Sequence, residues 1–331
     1  MGMRAGVVCL GLAVLDVVQR VEAPLSWGRK HVSVAAEVCA GGPATNAAVC
    51  AARLLGEATL ITGLGGTAAA AAVRAELETY AVRVIDLAPP EWVLPVAACV
   101  LDPAGERTVI SPGALATTWE LTGEARAALQ GAAVVLLDGH HPSAADAALA
   151  AVSAGRGPHR PAEPTPSTPA EPTQAAPSAR RSDRPLVVLD AGSAKAHAEA
   201  WLPRLDVVAG SADYAAGLGL DLAGAVAHVL AAGAGAAVMT DGAAEVLWAG
   251  GDGIVRRARP PRTTAVDTLG AGDAFHGALA ALLAVGRSLD DAVPAAAAVA
   301  ATRVAQSGAR GWLADLAPLR EGAPLREDHP R

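Results

Sequence analysis

The residues best equipped for chemistry stand at Val266-Asp267-Thr268-Leu269-Gly270-Ala271-Gly272-Asp273, followed by the helix-forming run Ala274-Phe275-His276-Gly277-Ala278-Leu279. Gly270, Ala271 and Gly272 are small enough for the main chain to approach a ligand closely. A small-residue turn at a helix start aims several backbone N–H groups at one point, and the helix dipole reinforces them. The resulting pocket suits a phosphoryl group in transfer. Asp273, at the mouth of the same helix, is placed to accept the proton of an attacking hydroxyl while the N–H groups stabilise charge on the phosphate. The dipole is expected to favour the ionised carboxylate that a base requires. An aspartate at a helix start is ordinarily only an N-cap, but an Asp-Thr-x-Gly-Ala-Gly-Asp run is far more specific than that.

A second glycine motif, Cys39-Ala40-Gly41-Gly42-Pro43-Ala44-Thr45-Asn46, opens an earlier helical run. Paired glycines admit a ligand close to the backbone, and Asn46 offers both a donor and an acceptor. Taken alone, Gly-Gly before a helix serves a structural turn just as often. A third group, Gly63, Gly65 and Gly66, lacks the complete dinucleotide fingerprint and the acidic residue about 20 positions on, which disfavours a nicotinamide-dependent dehydrogenase.

These motifs need a scaffold, and its elements are legible. Short apolar runs at 7–12, 58–62, 134–138, 186–190, 207–209 and 236–240 read as buried strands. Longer alanine-rich runs at 44–55, 68–80, 144–153, 222–232, 273–285 and 290–306 read as helices. Strand–helix alternation with continuously apolar strands predicts an α/β fold with a parallel sheet covered on both faces. Several strands end in Asp, Thr or Gly, where a doubly wound sheet places its binding crevice. Two stretches, 15–40 and 95–111, alternate with period 2 and predict antiparallel strands in a small accessory sheet or lid. Residues 156–184 are dense in Pro, Ala, Ser and Thr and predict a disordered surface loop. The α/β pattern resumes in phase at Leu186, so the loop is expected to interrupt one domain spanning 1–320.

Composition bounds the partners. The chain has 331 residues, 52% of them hydrophobic but only 3% aromatic, so alanine must supply much of the packed surface. A net charge of −7 leaves no basic field to hold a nucleic-acid backbone. Cys9, Cys39, Cys50 and Cys99 form no C-x-x-C pair and read as small buried hydrophobes. The first 18 residues loosely imitate a signal peptide. Asp16 interrupts the apolar stretch, however, and no clear cleavage site follows, so a buried first strand is the better reading. The runs at 278–285 and 295–301 are too short to span a bilayer. The expectation is a soluble, cytoplasmic protein without membrane or nucleic-acid partners.

With both signatures in hand, the sequence resembles the ribokinase-like (PfkB) family of carbohydrate kinases. Gly41-Gly42 through Asn46 is similar to the family's amino-terminal signature and Asp267 to Asp273 to its carboxy-terminal one. Supporting matches are Gly11 through Asp16, Gly105-Glu106-Arg107, Thr240-Asp241-Gly242 and Ser307-Gly308-Ala309. The resemblance implies a Rossmann-like three-layer α/β/α core with a mostly parallel sheet and a small β lid, often paired with a second lid in a homodimer. It implies phosphate transfer from ATP, carried with Mg2+, to a primary alcohol. Asp273 would be the catalytic base and Gly270, Ala271 and Gly272 the anion hole, with Asp267 and Thr268 shaping the turn. Thr240 and Gly242 would lie along the nucleotide. Asp16, Gly41, Gly42 and Asn46 would hold the sugar, the two oxygens of Asp16 suiting a vicinal diol.

Some positions depart from the family pattern. An Asn-x-x-Glu motif that helps organise magnesium and phosphates is replaced by Ser211-Ala212-Asp213-Tyr214, so no metal ligand is assigned; Asp213 is a substitute or a solvated loop carboxylate. A lysine common in the first signature is replaced by Pro43, which puts ribose as substrate in question. Phe275-His276-Gly277-Ala278-Leu279 is similar to the sulfofructose kinase branch, yet Asp138-Gly139-His140-His141-Pro142 lacks the arginine expected there for a sulfonate. His140 is a candidate to reach the sugar, and Arg107, Arg29 and Lys30 to meet an anionic group. Each is otherwise an ordinary surface side chain. Two alternatives remain: a nucleoside kinase, for which Trp27 or Trp92 would have to supply base stacking, and a non-catalytic sugar or nucleotide sensor on the same fold.

Overall fold

The computed structural model describes residues 6–102, 107–112, 118–153 and 184–319. Apart from Arg184, the proline-rich stretch lies outside these residues, as do Gly105 and Glu106 of the lid motif.

Apolar β-branched runs build a nine-stranded core sheet. Its strands are β1 (Val7–Leu10), β4 (Ala58–Thr62), β5 (Val82–Asp86), β8 (Val134–Leu137), β9 (Leu186–Ala191), β10 (Val207–Ser211), β11 (Ala237–Asp241), β12 (Glu245–Ala249) and β13 (Arg256–Ala258). Their spatial order is β13-β12-β11-β10-β9-β8-β1-β4-β5. Pairing is parallel from β11 through β5 and antiparallel only at β11–β12 and β12–β13. Alternate residues of each strand serve opposite cores: Val7 and Cys9 face one, Val8 and Leu10 the other. The first layer is built on α1 (Pro43–Leu55), α2 (Ala68–Thr79), α7 (Ala271–Ala284) and α8 (Leu289–Val304). The second is built on α3 (Gly123–Gly131), α4 (Pro142–Val152) and α6 (Leu222–Ala231). A short α5 (Ala212–Gly217) follows β10.

Alanine is what brings α1 and α7 together. Ala44, Ala47, Ala48 and Ala51 of α1 and Ala274, Ala278 and Ala281 of α7 are all buried. A Cβ on Gly277 would overlap the Ala47 carbonyl, so the two main chains touch there, and the Cys50 thiol donates to the Ala274 carbonyl at 3.3 Å. All four cysteines are free and buried, as expected.

The lid is a second sheet of β2 (Val14–Val21), β3 (Ser33–Gly41), β6 (Val96–Leu101) and β7 (Arg107–Ile110) in the order β3-β2-β6-β7. It differs from the expected all-antiparallel sheet, because β2 and β6 pair in parallel. Both strands leave the core just after β1 and β5, parallel strands that flank β4 in one half of the sheet, and so enter the lid running the same way. Among the described residues, no helix is long and apolar enough to cross a membrane.

Candidate active site

The carboxy-terminal signature folds as the sequence requires. Gly270 takes φ 72°, a left-handed conformation that costs glycine little, and caps α7 at its first residue, Ala271. The amides of Gly272 and Asp273 then belong to the first helical turn, whose N–H groups have no intrahelical acceptor; that of Ala271 turns back to the Thr268 carbonyl at 3.3 Å. Open space lies beside Gly272, where a ligand can approach the main chain. Beneath the turn, Asp267 accepts from Arg20 of β2 at 2.7 Å and from the Leu269 amide at 3.0 Å, and Arg303 of α8 lies 3.4 Å away. Burial would lift the Asp267 pKa, but these partners outweigh it and hold the carboxyl below its usual range.

The amino-terminal signature delivers the other half. Gly41 ends β3 against Asp16 of β2, where a Cβ would overlap the Asp16 carboxylate. Gly42, at φ 101°, packs its Cα against the Leu12 carbonyl and turns the chain into α1. That turn carries Asn46 to Asp273, Nδ2 donating to Oδ2 at 2.7 Å. Asp16, Asn46 and Gly270 line one cleft together with Arg310, which follows α8. Asp16 is pushed up to about 6 by burial and by the nearby Asp273 charge, with Arg310 opposing.

Asp273 itself departs from expectation. Burial and the Asp190 charge, with Asp138 behind them, push its pKa upward against the Asn46 hydrogen bond and the His276 charge. The helix terminus does not by itself set the ionisation. His276, one turn further along α7, lies 3.0 Å from Asp190 at the end of β9, and both side chains are 6% exposed. Burial would lower the His276 pKa, but Asp190, Asp273 and the Ala209 carbonyl raise it overall.

The remaining sequence-predicted residues are spread around this centre. Arg107 of β7 reaches over from the lid and donates to the Thr268 carbonyl at 3.0 Å. Thr240 stands near the end of β11, donating to the Gly210 carbonyl at 3.3 Å, and Gly242 begins the exposed turn after it. His140 is half-buried after β8, its amide bonded to Asp138 at 2.9 Å, and is not among the residues lining the cleft of Asp16 and Asn46. Arg29 and Lys30 are exposed on the β2–β3 connection. Ser211 caps α5, Asp213 is exposed, and Tyr214 donates to Glu199 at 3.3 Å. Among the described residues, no three His, Cys, Asp or Glu side chains converge to hold a metal ion. The base-stacking candidates are not in the cleft: Trp27 is 97% exposed, and Trp92 packs edge-on against Trp119 at 5.1 Å. Gly63 seats the same Trp119 ring, and a Cβ on Gly65 or Gly66 would overlap the Trp92 or Pro90 carbonyl, structural uses that account for the third glycine group.

Sequence reasoning missed Arg310, Glu76, Arg20, Arg303 and the buried carboxylates Asp138 and Asp190. A signal existed for the last two, which stand at strand ends. Asp138 accepts from the amides of Leu12 (2.8 Å), Ala44 (3.2 Å) and His140 (2.9 Å), knitting the end of β1 to the start of α1.

Solved structures share this fold. A ribokinase from Thermotoga maritima matches with a TM-score of 0.73 at 21% identity, over 93% of this chain and 95% of that one. The Arabidopsis thaliana ribokinase complexed with ribose and ATP matches at 0.71 and 20% identity, over 92% and 93%. Ribokinase from Giardia lamblia matches at 0.75 and 16% identity, over 94% and 99%. No curated protein matches the sequence significantly. The family model for pfkB family carbohydrate kinases matches residues 4–315. Both signatures, the described lid strands and the cleft the signatures share fall within that span, and the chain belongs to the pfkB family of carbohydrate kinases.

Proposed function

We propose that the protein transfers the γ-phosphate of ATP to a hydroxyl of a sugar or sugar-like polyol, with Asp273 as general base. The observation that carries this reading is the 2.7 Å contact of Asn46 with Asp273 beside the first turn of α7, where Asn46 and Gly270 line one cleft with Asp16. Asp16 and Asn46 present acceptors and donors suited to hydroxyl groups. Arg20, Arg303 and Arg310 already have carboxylate partners, which favours an uncharged acceptor over an anionic one. The open main chain at Gly272 and the amides of Gly272 and Asp273 fit the phosphate end of a nucleotide. When bound, ATP with its Mg2+ supplies the phosphoryl group. Asp273 would take the hydroxyl proton as the new O–P bond forms and the bond from the γ-phosphorus to the bridging oxygen breaks, ADP leaving, while the first-turn amides stabilise charge on the phosphoryl oxygens. Thr240 and Gly242, at the same end of the sheet, fit the nucleotide's far side.

The lid also supports a homodimer. Val38, Val17, Ala98 and Ile110 are register partners in one row across its outer face, where Val38 is 60% and Ile110 59% exposed. An apolar row of this kind is suited to a second copy of the same face. The function is tested by ADP release from ATP over a panel of hexoses, pentoses, phosphosugars and nucleosides. Turnover with neutral sugars supports the reading; turnover with nucleosides alone, or with no member of the panel, overturns it.

A further inference from the structure

Arg310 makes no hydrogen bond to the α7 helix start, but it bonds the side-chain amide of Asn46 that meets Asp273. Its guanidinium makes three hydrogen bonds in three directions: Nε to Glu76 Oε1 at 3.0 Å, Nη2 to the Ala40 carbonyl at 2.6 Å and Nη1 to Asn46 Oδ1 at 3.0 Å. Glu76, on α2, closes the frame by accepting from the Ala40 amide through Oε2 at 2.6 Å. The Arg310 side chain is only 11% exposed, and the frame fastens it to α2 and β3 at once.

A guanidinium has donors and no acceptor, so only the oxygen of the Asn46 amide can face it. Oxygen and nitrogen share one carbon, and holding the oxygen toward Arg310 turns the NH2 group toward Asp273 Oδ2. We propose that Arg310 is a positioning residue that locks the Asn46 amide, so that Asn46 occupies Oδ2 of Asp273 and leaves Oδ1 to receive the substrate proton. Released from Arg310, the amide can rotate and present its oxygen to the carboxylate, which repels it. Lysine cannot substitute, because one ammonium nitrogen cannot serve Glu76, Ala40 and Asn46 along the fixed directions of the fork.

The lock bears on proton affinity. Asp273 faces Asp190 from β9, Asp138 from the end of β8, Asp16 from β2 and His276 from its own helix, and the Asn46 hydrogen bond is one of two influences favouring its charged form. Losing the lock therefore moves the Asp273 titration to higher pH.

The inference rests on Asp273 as the base, but its test needs no turnover. The full-length protein, labelled with 13C at aspartate carboxyl groups, is titrated by NMR, and Asp273→Asn identifies the signal. Arg310→Met and Arg310→Lys are both expected to move the Asp273 midpoint upward, as Asn46→Ala does, and Arg310→Met added to Asn46→Ala is expected to move it no further. With a turned-over sugar, kcat falls about 100-fold in either Arg310 variant, the scale of a misplaced reacting group. An unmoved midpoint in folded Arg310→Lys, or additive shifts in the double variant, overturns the lock. A wild-type protein that phosphorylates nothing removes the base reading instead and leaves the titration result standing.

Discussion

Replacing Asp273 with asparagine changes one atom type in a fixed frame, so its effect can be worked out. Asn46 Nδ2 points at position 273 from 2.7 Å, and Arg310 holds the Asn46 oxygen on the opposite side. The substituted amide must therefore turn its own oxygen to Asn46. Its NH2 is left facing the place where the hydroxyl arrives, a donor set against a donor. No acceptor for the proton remains. General-base assistance contributes about 10²–10⁴-fold, and a site that offers a donor in place of the base belongs at the upper end. A loss of roughly 10³–10⁴ in kcat corresponds to about 4–5.5 kcal/mol. The first-turn amides are main chain and survive, so ATP affinity stays within a few-fold. The assay pairs coupled ADP release with calorimetric titration of ATP. A variant that keeps more than a tenth of wild-type kcat refutes Asp273 as base, and equal losses in kcat and ATP affinity would mean that the residue merely caps α7.

Two further expectations follow from the buried charges. Asp16 titrates near 6 in the folded protein against an ordinary value of 3.8, so the native state binds the extra proton and the charged form costs stability as pH rises through that window. Asp16→Asn should therefore raise Tm at pH 8, leave it nearly unchanged at pH 4 and raise the sugar KM; a lower Tm at pH 8 contradicts the burial argument. A protonated His276 ring favours ionised Asp273. In His276→Gln the acid limb of the kcat–pH profile should move to higher pH, and an unmoved limb means that the ring does not reach Asp273 electrostatically.

Local patterns make the core readable. The strand expected at 58–62 is β4 to the residue, and the helix expected at 44–55 is α1 with Pro43 added at its first turn. Their apolar periodicity is a property of neighbouring residues. β13 escapes such a reading, because an edge strand carrying Arg256 and Arg257 has no continuous apolar run. The same distinction divides the site. Asp16, Asn46 and Asp273 lie inside contiguous motifs and are legible from sequence. Arg310, one residue beyond Ser307-Gly308-Ala309, acquires its role only by meeting Glu76, 234 positions earlier, and Asn46, 264 positions earlier. Nothing local distinguishes it from any other arginine.

The main-chain contact of α1 with α7 has a consequence in time. Asn46 rides on one helix and Asp273 on the other, 227 residues apart, so a chain still growing from the ribosome can assemble most of its parallel strands and lack the proposed base. On the proposed reading, competence arrives only when α7 docks on alanines laid down long before. Regained turnover during refolding accordingly dates the closing of that helix pair, not the earlier collapse of the sheet.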